Sequence, residues 1–361
     1  MHQNDCLLGT DYIKCPHPPL ARLRAYFMSM TKGMYTAIIA SIYVVGAFTG
    51  WFLYKSTLDL SSFAPTEYRL NTTPQYPLIN PLIFTDSDQR LFTEYNPFDS
   101  QLSAYIASAK RDGTASSVSV YFRDLNSGHW TGVNEDEEYN PSSMIKVAVF
   151  ISYLKASIQD KSILSQSVYY PGEDWTGQNY VEHTGRAPGN YPVTDLLNDM
   201  IVYSDNNAMT ALVKNNLSQF ISTYNDFKLP QPTTDASDYM TARSYSVVFR
   251  SLFNASYLLR SQSEQVLELL TQTKFTQGLV AGLPASTTVA HKFGEHTYVD
   301  DSNGSVLYHE LHDCGIVYYP NHPYFVCVMT KGQDFSKLQT VISNISKMAY
   351  QWIDAEAKGS N

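Results

Sequence analysis

Helical and strand-like patterns are segregated along this chain of 361 residues. A helical pattern over residues 99–111 is followed by a hairpin around the turn Asn126-Ser127-Gly128. The middle of the chain carries only helical patterns. Strand-like runs then return at residues 288–295, 311–319 and 324–330, before a last amphipathic helix. This order predicts an α+β domain, in which helices flank a five-stranded antiparallel sheet and an all-helical subdomain is inserted.

An uncharged run covers residues 33–54. Its length of about 22 residues, at a rise of about 1.5 Å per residue, would cross a bilayer, so we expect one transmembrane helix over residues 34–54. Positive residues precede the run, which predicts a cytoplasmic tail over residues 1–33 and a single-pass protein with its domain outside the membrane. A cleaved signal peptide is the alternative, but the tail before the run is too long for that pattern.

The region after the uncharged run is rich in Pro, Thr, Ser and Asn, which predicts a stalk over residues 55–97. Residues 76–84 are too apolar for a solvated linker, so we expect them to lie against the domain. That domain should cover residues 98–361, because 43% hydrophobic residues can bury a substantial core. The net charge of -9 argues against a nucleic-acid partner, since no basic stripe is present to neutralise phosphates.

Ser143 and Lys146 are three residues apart at the start of an apolar run. In a helix they lie on one face, with the amine within hydrogen-bonding reach of the hydroxyl. A serine hydroxyl is a poor nucleophile until a nearby base activates it, and burial or a second cation can lower the pKa of a lysine for that task. The spacing alone is weak evidence, because Ser29 and Lys32 match it as well.

Two further motifs follow Ser143-x-x-Lys146 in order, namely Ser204-Asp205-Asn206 and Lys292-Phe293-Gly294. With these three motifs, residues 98–357 resemble the class A β-lactamase and penicillin-binding-protein superfamily of serine acyl-enzymes. The resemblance implies a β-lactamase-like α+β fold and a serine hydrolase. No metal or other cofactor is expected, because the nine histidines do not form a ligand-spaced cluster with Cys, Asp or Glu.

The resemblance also implies a role for each motif residue. Ser143 would be the nucleophile, Lys146 its base, Ser204 a proton relay, and Lys292 both a second amine and a carboxylate anchor. Residues implied to contact substrate are Asn206, Phe293, Gly294 and Glu295. The backbone amides of Ser143 and Glu295 would stabilise the oxyanion.

The chain departs from that family in two places. Between Asn207 and Ser263 it has no glutamate, whereas the typical class A loop carries one that activates the deacylating water. Asp235 is a candidate substitute base, although a turn role is the stronger interpretation. Phe293 also stands where the family usually has threonine or serine, which removes a hydroxyl that would help to hold a substrate carboxylate.

The leading prediction is therefore a membrane-anchored serine hydrolase that forms an acyl-enzyme with β-lactams or related amides. A D-alanyl-D-alanine carboxypeptidase that acts on peptidoglycan peptides is the alternative. A non-catalytic β-lactam or cell-wall sensor is the alternative from another class, and the intact motif residues argue against it. The oligomeric state stays open. So does the state of Cys314 and Cys327, for which buried free thiols are slightly favoured over a disulfide.

Overall fold

The structure is a computed structural model that describes residues 32–58, 67–69, 73–85, 96–176, 178–231 and 237–359. The chain divides into two compact units, Met1–Ala64 and Pro65–Asn361. In the first unit one helix, α1, covers Lys32–Leu58 and hence the uncharged run. Among the helices within the described ranges, none combines the length and the apolarity required to cross a membrane. The transmembrane helix expected over residues 34–54 is therefore not supported.

The second unit contains the strands and the remaining helices. Its strands are β1 (Glu67–Arg69), β2 (Leu82–Thr85), β3 (Ser117–Asp124), β4 (Trp130–Val133), β5 (Glu138–Tyr139), β6 (Ser167–Tyr170), β7 (Gly189–Pro192), β8 (Met240–Thr241), β9 (Val289–Val299), β10 (Val306–Val317) and β11 (Tyr324–Gly332). Its α-helices are α2 (Asn96–Arg111), α3 (Lys146–Ser157), α4 (Val193–Asn198), α5 (Asn206–Asn215), α6 (Leu217–Asp226), α7 (Ala242–Phe253), α8 (Arg260–Leu270) and α9 (Phe335–Gly359).

The main sheet has five strands in the order β4-β3-β11-β10-β9, and all of its pairs are antiparallel. The predicted five-stranded antiparallel sheet is thus confirmed, and the helices α3 to α8 lie between its first and last parts in sequence. Because β9 is an edge strand, its outer side remains available to loops and ligands.

The sheet has a hydrophobic cluster on each face, as the alternation of strand side chains requires. One cluster joins the sheet to the helical subdomain and includes Phe325, Met329 and the whole apolar surface of α3. The other cluster joins the opposite face to α2 and α9 and includes Val326 and Val328. Helix α3 is buried on nearly all sides, which explains its continuous apolar run.

The predicted contact of residues 76–84 with the domain is confirmed. Ile79 is 1% exposed, and the backbone nitrogen of Leu78 donates to both carboxylate oxygens of Glu264 on α8, at 3.0 and 3.1 Å. Tyr318 also donates its hydroxyl to the Leu78 carbonyl at 3.0 Å. These bonds hold the apolar segment on the surface of the second unit.

Cys314 on β10 and Cys327 on β11 face each other and form a disulfide. Both residues are fully buried in the cluster that also packs against α3. The slight preference for free thiols was therefore wrong, because the antiparallel register places the two cysteines directly opposite each other.

Candidate active site

Ser143 lies in a short 3₁₀ helix, Ser142–Ile145, that leads directly into α3. The preceding residue, Ser142, has a left-handed backbone with φ of 47°, which turns the chain sharply before the nucleophile. The side chain of Asn140 fixes this turn, because its Oδ1 accepts from Ser142 N at 2.9 Å and from Ser142 Oγ at 3.2 Å. Asn140 therefore stabilises the turn that precedes the nucleophile.

Two buried side chains of β10 hydrogen-bond to the backbone of Asn140 and so fix its position against the sheet. Glu310 Oε2 accepts from Asn140 N at 3.1 Å, and His312 Nε2 lies 3.1 Å from Asn140 O. Thr330 N donates to the other ring nitrogen of His312, so Nε2 carries the proton that is donated to Asn140. Lys331 pairs with Glu310 at 3.2 Å. Sequence reasoning missed Asn140, Glu310 and His312, since no motif links positions so far apart in the chain.

Lys146 is fully buried and its Nζ is surrounded by oxygen atoms. It lies 2.7 Å from Ser143 Oγ, 2.5 Å from Ser204 O, 3.1 Å from Ser204 Oγ and 2.7 Å from Asn206 Oδ1. Burial, and after it the charge of Lys292, hold the pKa of Lys146 well below its ordinary value of 10.5. The predicted pairing of Ser143 with Lys146 is present, and the amine is poised to lose its proton.

The Ser204-Asp205-Asn206 motif joins the π-helical turn Asp199–Tyr203 to α5. Ser204 has a left-handed backbone, with φ of 63°, that directs both its carbonyl and its hydroxyl at Lys146. Asp205 caps α5 by accepting from Asn207 N and Ala208 N, so the middle residue of the motif is structural.

Lys292 lies on β9, is fully buried, and approaches the same serine from the other side. Its Nζ is 2.9 Å from Ser204 Oγ and donates to Phe293 O at 3.1 Å. Burial lowers the pKa of Lys292 to about 7, although the Asp313 and Glu295 carboxylates oppose the shift. The Ser204 hydroxyl thus bridges two amines, each of which releases its proton more easily than an ordinary lysine.

Gly294 allows β9 to approach the nucleophile. A Cβ on Gly294 would lie 2.6 Å from Pro141 O and 3.1 Å from Met144 Cγ, closer than real side chains come. Only glycine fits between the strand and the 3₁₀ helix.

Phe293 does not line the cavity, and its predicted contact with substrate is corrected. The ring is 2% exposed, stacks on Phe275 at 4.2 Å between centroids, and meets Tyr180 edge to face. The ring is thus enclosed by other aromatic side chains and does not reach the cavity beside Ser143.

A cavity of about 370 Å³ opens beside the nucleophile. Its lining residues are Asn140, Ser142, Ser143, Ile145, Asn206, Met209, Tyr239, Glu295 and His296. The two predicted oxyanion donors, the amides of Ser143 and Glu295, both belong to residues of this wall. His296, Tyr239 and Met209 were missed, and the alternation of β9 could have indicated His296, two residues beyond Gly294.

Glu295 connects the cavity to the loop between β6 and β7. Its Oε1 accepts from Asn179 N at 2.9 Å and from Tyr180 N at 3.1 Å. Burial raises the pKa of Glu295, and these backbone donors oppose that shift. Both donors come from one loop, so the carboxylate is already engaged by the protein.

Asp235, the candidate deacylation base, lies outside the described residues. Two other carboxylates of that region are described and have structural partners. Asp226 accepts from the Tyr257 hydroxyl at 2.6 Å. Asp238 accepts from the Tyr298 hydroxyl at 2.6 Å and from Lys331 at 2.5 Å.

Comparisons with known proteins agree with the fold and the motifs. A model of the beta-lactamase enzyme family matches residues 97–353. Beta-lactamase CTX-M-8 from Citrobacter amalonaticus is 27% identical over a match that covers 48% of this chain and 65% of the relative. This chain therefore spans slightly less than two thirds of that relative's length.

Solved structures share the fold at low identity. PBP-A is 19% identical with a TM-score of 0.59, over 73% of this chain and 97% of that protein. A beta-lactamase from Chitinophaga pinensis is 17% identical with a TM-score of 0.59, over 72% and 100%. The TLA-1 extended-spectrum beta-lactamase is 17% identical with a TM-score of 0.60, over 71% and 99%.

The fold and the three motifs are those of the β-lactamase-type serine hydrolases. The chain belongs to the beta-lactamase enzyme family, whose model covers the whole of the main sheet and all the helices between its strands.

Proposed function

We propose that this protein forms an acyl-enzyme through Ser143 with β-lactams or related amides and hydrolyses them. The observation that carries the proposal is the position of Lys146, whose Nζ lies 2.7 Å from Ser143 Oγ. A nucleophile and its base within this distance meet the geometric requirement for covalent catalysis.

The contacts of Lys146 fit the task of a base. A neutral amine keeps two N–H donors, which suit the Ser204 carbonyl and Asn206 Oδ1, the two nearest acceptors other than Ser143. Its lone pair is then left to accept the Ser143 proton as Oγ attacks the carbonyl carbon. Ser204 Oγ, which lies between Lys146 and Lys292, can pass that proton to the departing amide nitrogen.

We infer the substrate class from the charge of Lys292 beside the nucleophile and from the relatives in the family. An ammonium beside the nucleophile attracts a carboxylate, a group that penicillins and peptides ending in D-Ala-D-Ala share. A mutant of PBP-A has been solved as an acyl-enzyme complex with penicillin G, and CTX-M-8 is a beta-lactamase. These relatives support a β-lactam as the first substrate to try.

The test is covalent labelling of the full chain with a fluorescent penicillin. We expect one label per chain, lost in Ser143→Ala and retained in Ser29→Ala, which has the same spacing to a lysine. Labelling that survives in Ser143→Ala would show that another residue is the nucleophile.

A D-alanyl-D-alanine carboxypeptidase is the second candidate. It is favoured because Asp226 and Asp238 have structural partners, so water activation is weak, and the D-alanine of such a peptide leaves the site and opens space for water, whereas an opened β-lactam stays attached. Release of D-alanine from a D-Ala-D-Ala peptide, compared with penicillin hydrolysis by the same preparation, distinguishes the two activities.

We also propose that the domain works outside the cytoplasmic membrane. The disulfide between Cys314 and Cys327 supports this location, because disulfides persist in oxidising compartments. Protease added to intact cells should remove the domain, whereas a domain protected until the cells are lysed would contradict the location.

A further inference from the structure

An acyl-enzyme is released only when a base takes a proton from the attacking water. Glu295 is the carboxylate that lines the cavity, and its Oε1 already accepts from Asn179 N and Tyr180 N. Lys146 is the base of the first step, and Ser204 is bound between the two amines. The cavity wall therefore needs a further group for the second step.

His296 occupies that wall together with Ser143. It lies two residues beyond Gly294 and so on the same face of β9, the face that packs against Pro141 and Met144. Two residues advance a strand by about 6.6 Å, so the imidazole stands next to the nucleophile turn. Its ring packs edge to face against Tyr298, with 4.4 Å between the centroids, which fixes the plane of the ring.

The ring nitrogens of His296 are available to a ligand. Within the described ranges of the chain, neither nitrogen hydrogen-bonds to the protein. The nearby acidic groups have other partners: Glu310 binds Asn140 and Lys331, and Asp238 binds Tyr298 and Lys331. An imidazole that faces a cavity without a protein partner can accept a proton from water.

We propose that His296 is the general base of deacylation and thereby takes the place of the glutamate that this chain lacks. This inference rests on the proposed acyl-enzyme at Ser143. One imidazole nitrogen accepts a proton as the water oxygen bonds to the acyl carbon. The bond between that carbon and Ser143 Oγ then breaks, and the imidazolium proton returns to Oγ, directly or through Lys146. The products are the free acid and the original serine.

The charged and titratable groups near His296 lie on two strands and one loop. Glu310 is its partner on β10, His312 is two residues farther along that strand, Lys331 lies on β11, and Asp238 lies in the segment before β8. Burial lowers the pKa of His296 below 6.5, while the Glu310 and Asp238 carboxylates oppose the shift and His312 adds to it. The ring is therefore neutral at pH 7, and the deacylation rate should fall as the pH drops below 6.5.

The experiment measures the two steps separately in the full chain, by following the penicillin adduct with intact-mass spectrometry. His296→Gln retains hydrogen bonding but cannot take the proton. We expect it to lengthen the lifetime of the adduct at least about 10-fold while the rate of adduct formation stays within about 2-fold. His309→Gln, on the opposite face of β10, is the matched control and should change neither step.

Two further measurements distinguish a general-base role of His296 from a purely structural role. In the unsubstituted chain the deacylation rate should fall at low pH, and this pH dependence should be absent from His296→Gln. Added imidazole should shorten the adduct lifetime in His296→Ala, because the vacated space can admit it.

An adduct lifetime in His296→Gln equal to that of the unsubstituted chain would overturn the proposal. Equal slowing of both steps would do the same, since it would indicate a structural role. Absence of both an adduct and penicillin hydrolysis in the unsubstituted chain would defeat the proposed function itself, and an adduct whose release is unchanged in His296→Gln would defeat only the role of His296.

Discussion

Gly294 lies directly against the Pro141 carbonyl, so close that a Cβ at position 294 would be 2.6 Å from the carbonyl oxygen. The strand that carries Lys292 and the turn that carries Ser143 are thus in contact through backbone atoms. The distance between the nucleophile and the second amine depends on this contact, because nothing larger than a hydrogen fits there.

Gly294→Ala should lower the acylation rate by at least about 10-fold, since small displacements of reacting groups are costly. The methyl group must push β9 away from the Ser143 turn, because backbone atoms cannot rotate aside. The rate of penicillin labelling measures the effect. Gly189→Ala is the control, because its new Cβ would meet nothing closer than 3.4 Å. Equal labelling rates in the two variants would contradict the proposed packing constraint.

Lys146→Met should slow labelling by a factor of about 100 to 10,000, the usual contribution of a general base. Methionine has a similar length and fills the buried space without an amine. Lys155→Met on the same helix is the control, because Lys155 contacts Tyr257 and not the cavity. A labelling rate close to that of the unsubstituted chain would assign the base function to another group.

The affinity for carboxylate-bearing substrates should fall as the pH rises above 7. Burial lowers the pKa of Lys292 to about 7, so the ammonium that attracts the carboxylate is lost above that pH. The pH dependence of KM for a penicillin, compared with that for its methyl ester, isolates the effect. If both compounds show the same increase in KM, Lys292 is not the carboxylate partner.

Mixing with a penicillin should produce a burst to one adduct per chain, followed by slow decay. The loop glutamate is missing, so release of the adduct would depend on His296 alone, while acylation by Lys146 stays intact. A D-Ala-D-Ala peptide should turn over better, since its small leaving amine departs and leaves space for water. Fast hydrolysis without a detectable adduct would contradict this expectation, and Asp235→Asn would then be examined beside His296→Gln.

Local patterns were sufficient to predict the sheet and the contact between Ser143 and Lys146. The i, i+3 spacing acts within one helical turn, and strand periodicity acts within a few residues.

The contacts that fix the turn before Ser143 could not be predicted from one sequence. Glu310 and His312 reach Asn140 only because the antiparallel register of the sheet brings β10 to the start of the Ser143 turn. A buried glutamate and a buried histidine have no recognisable spacing to a residue about 170 positions away. The disulfide between Cys314 and Cys327 likewise depends on the register between β10 and β11, which the amino-acid composition does not specify.

The burial of Lys146 and Lys292 also has a cost for the folded state. Lys292 has a pKa of about 7 in the fold and an ordinary value of 10.5 when unfolded, so between these values the unfolded chain binds more protons. Stability attributable to this residue therefore rises with pH from 7 to 10.5 and is lowest below 7.

Lys292→Met should accordingly raise the melting temperature at pH 6 more than at pH 9, and an equal shift at both values would contradict the argument. The reactive amines are maintained at the expense of thermal resistance. Selection for heat tolerance alone should therefore favour variants of this protein that have lost these lysines, and with them the ability to acylate.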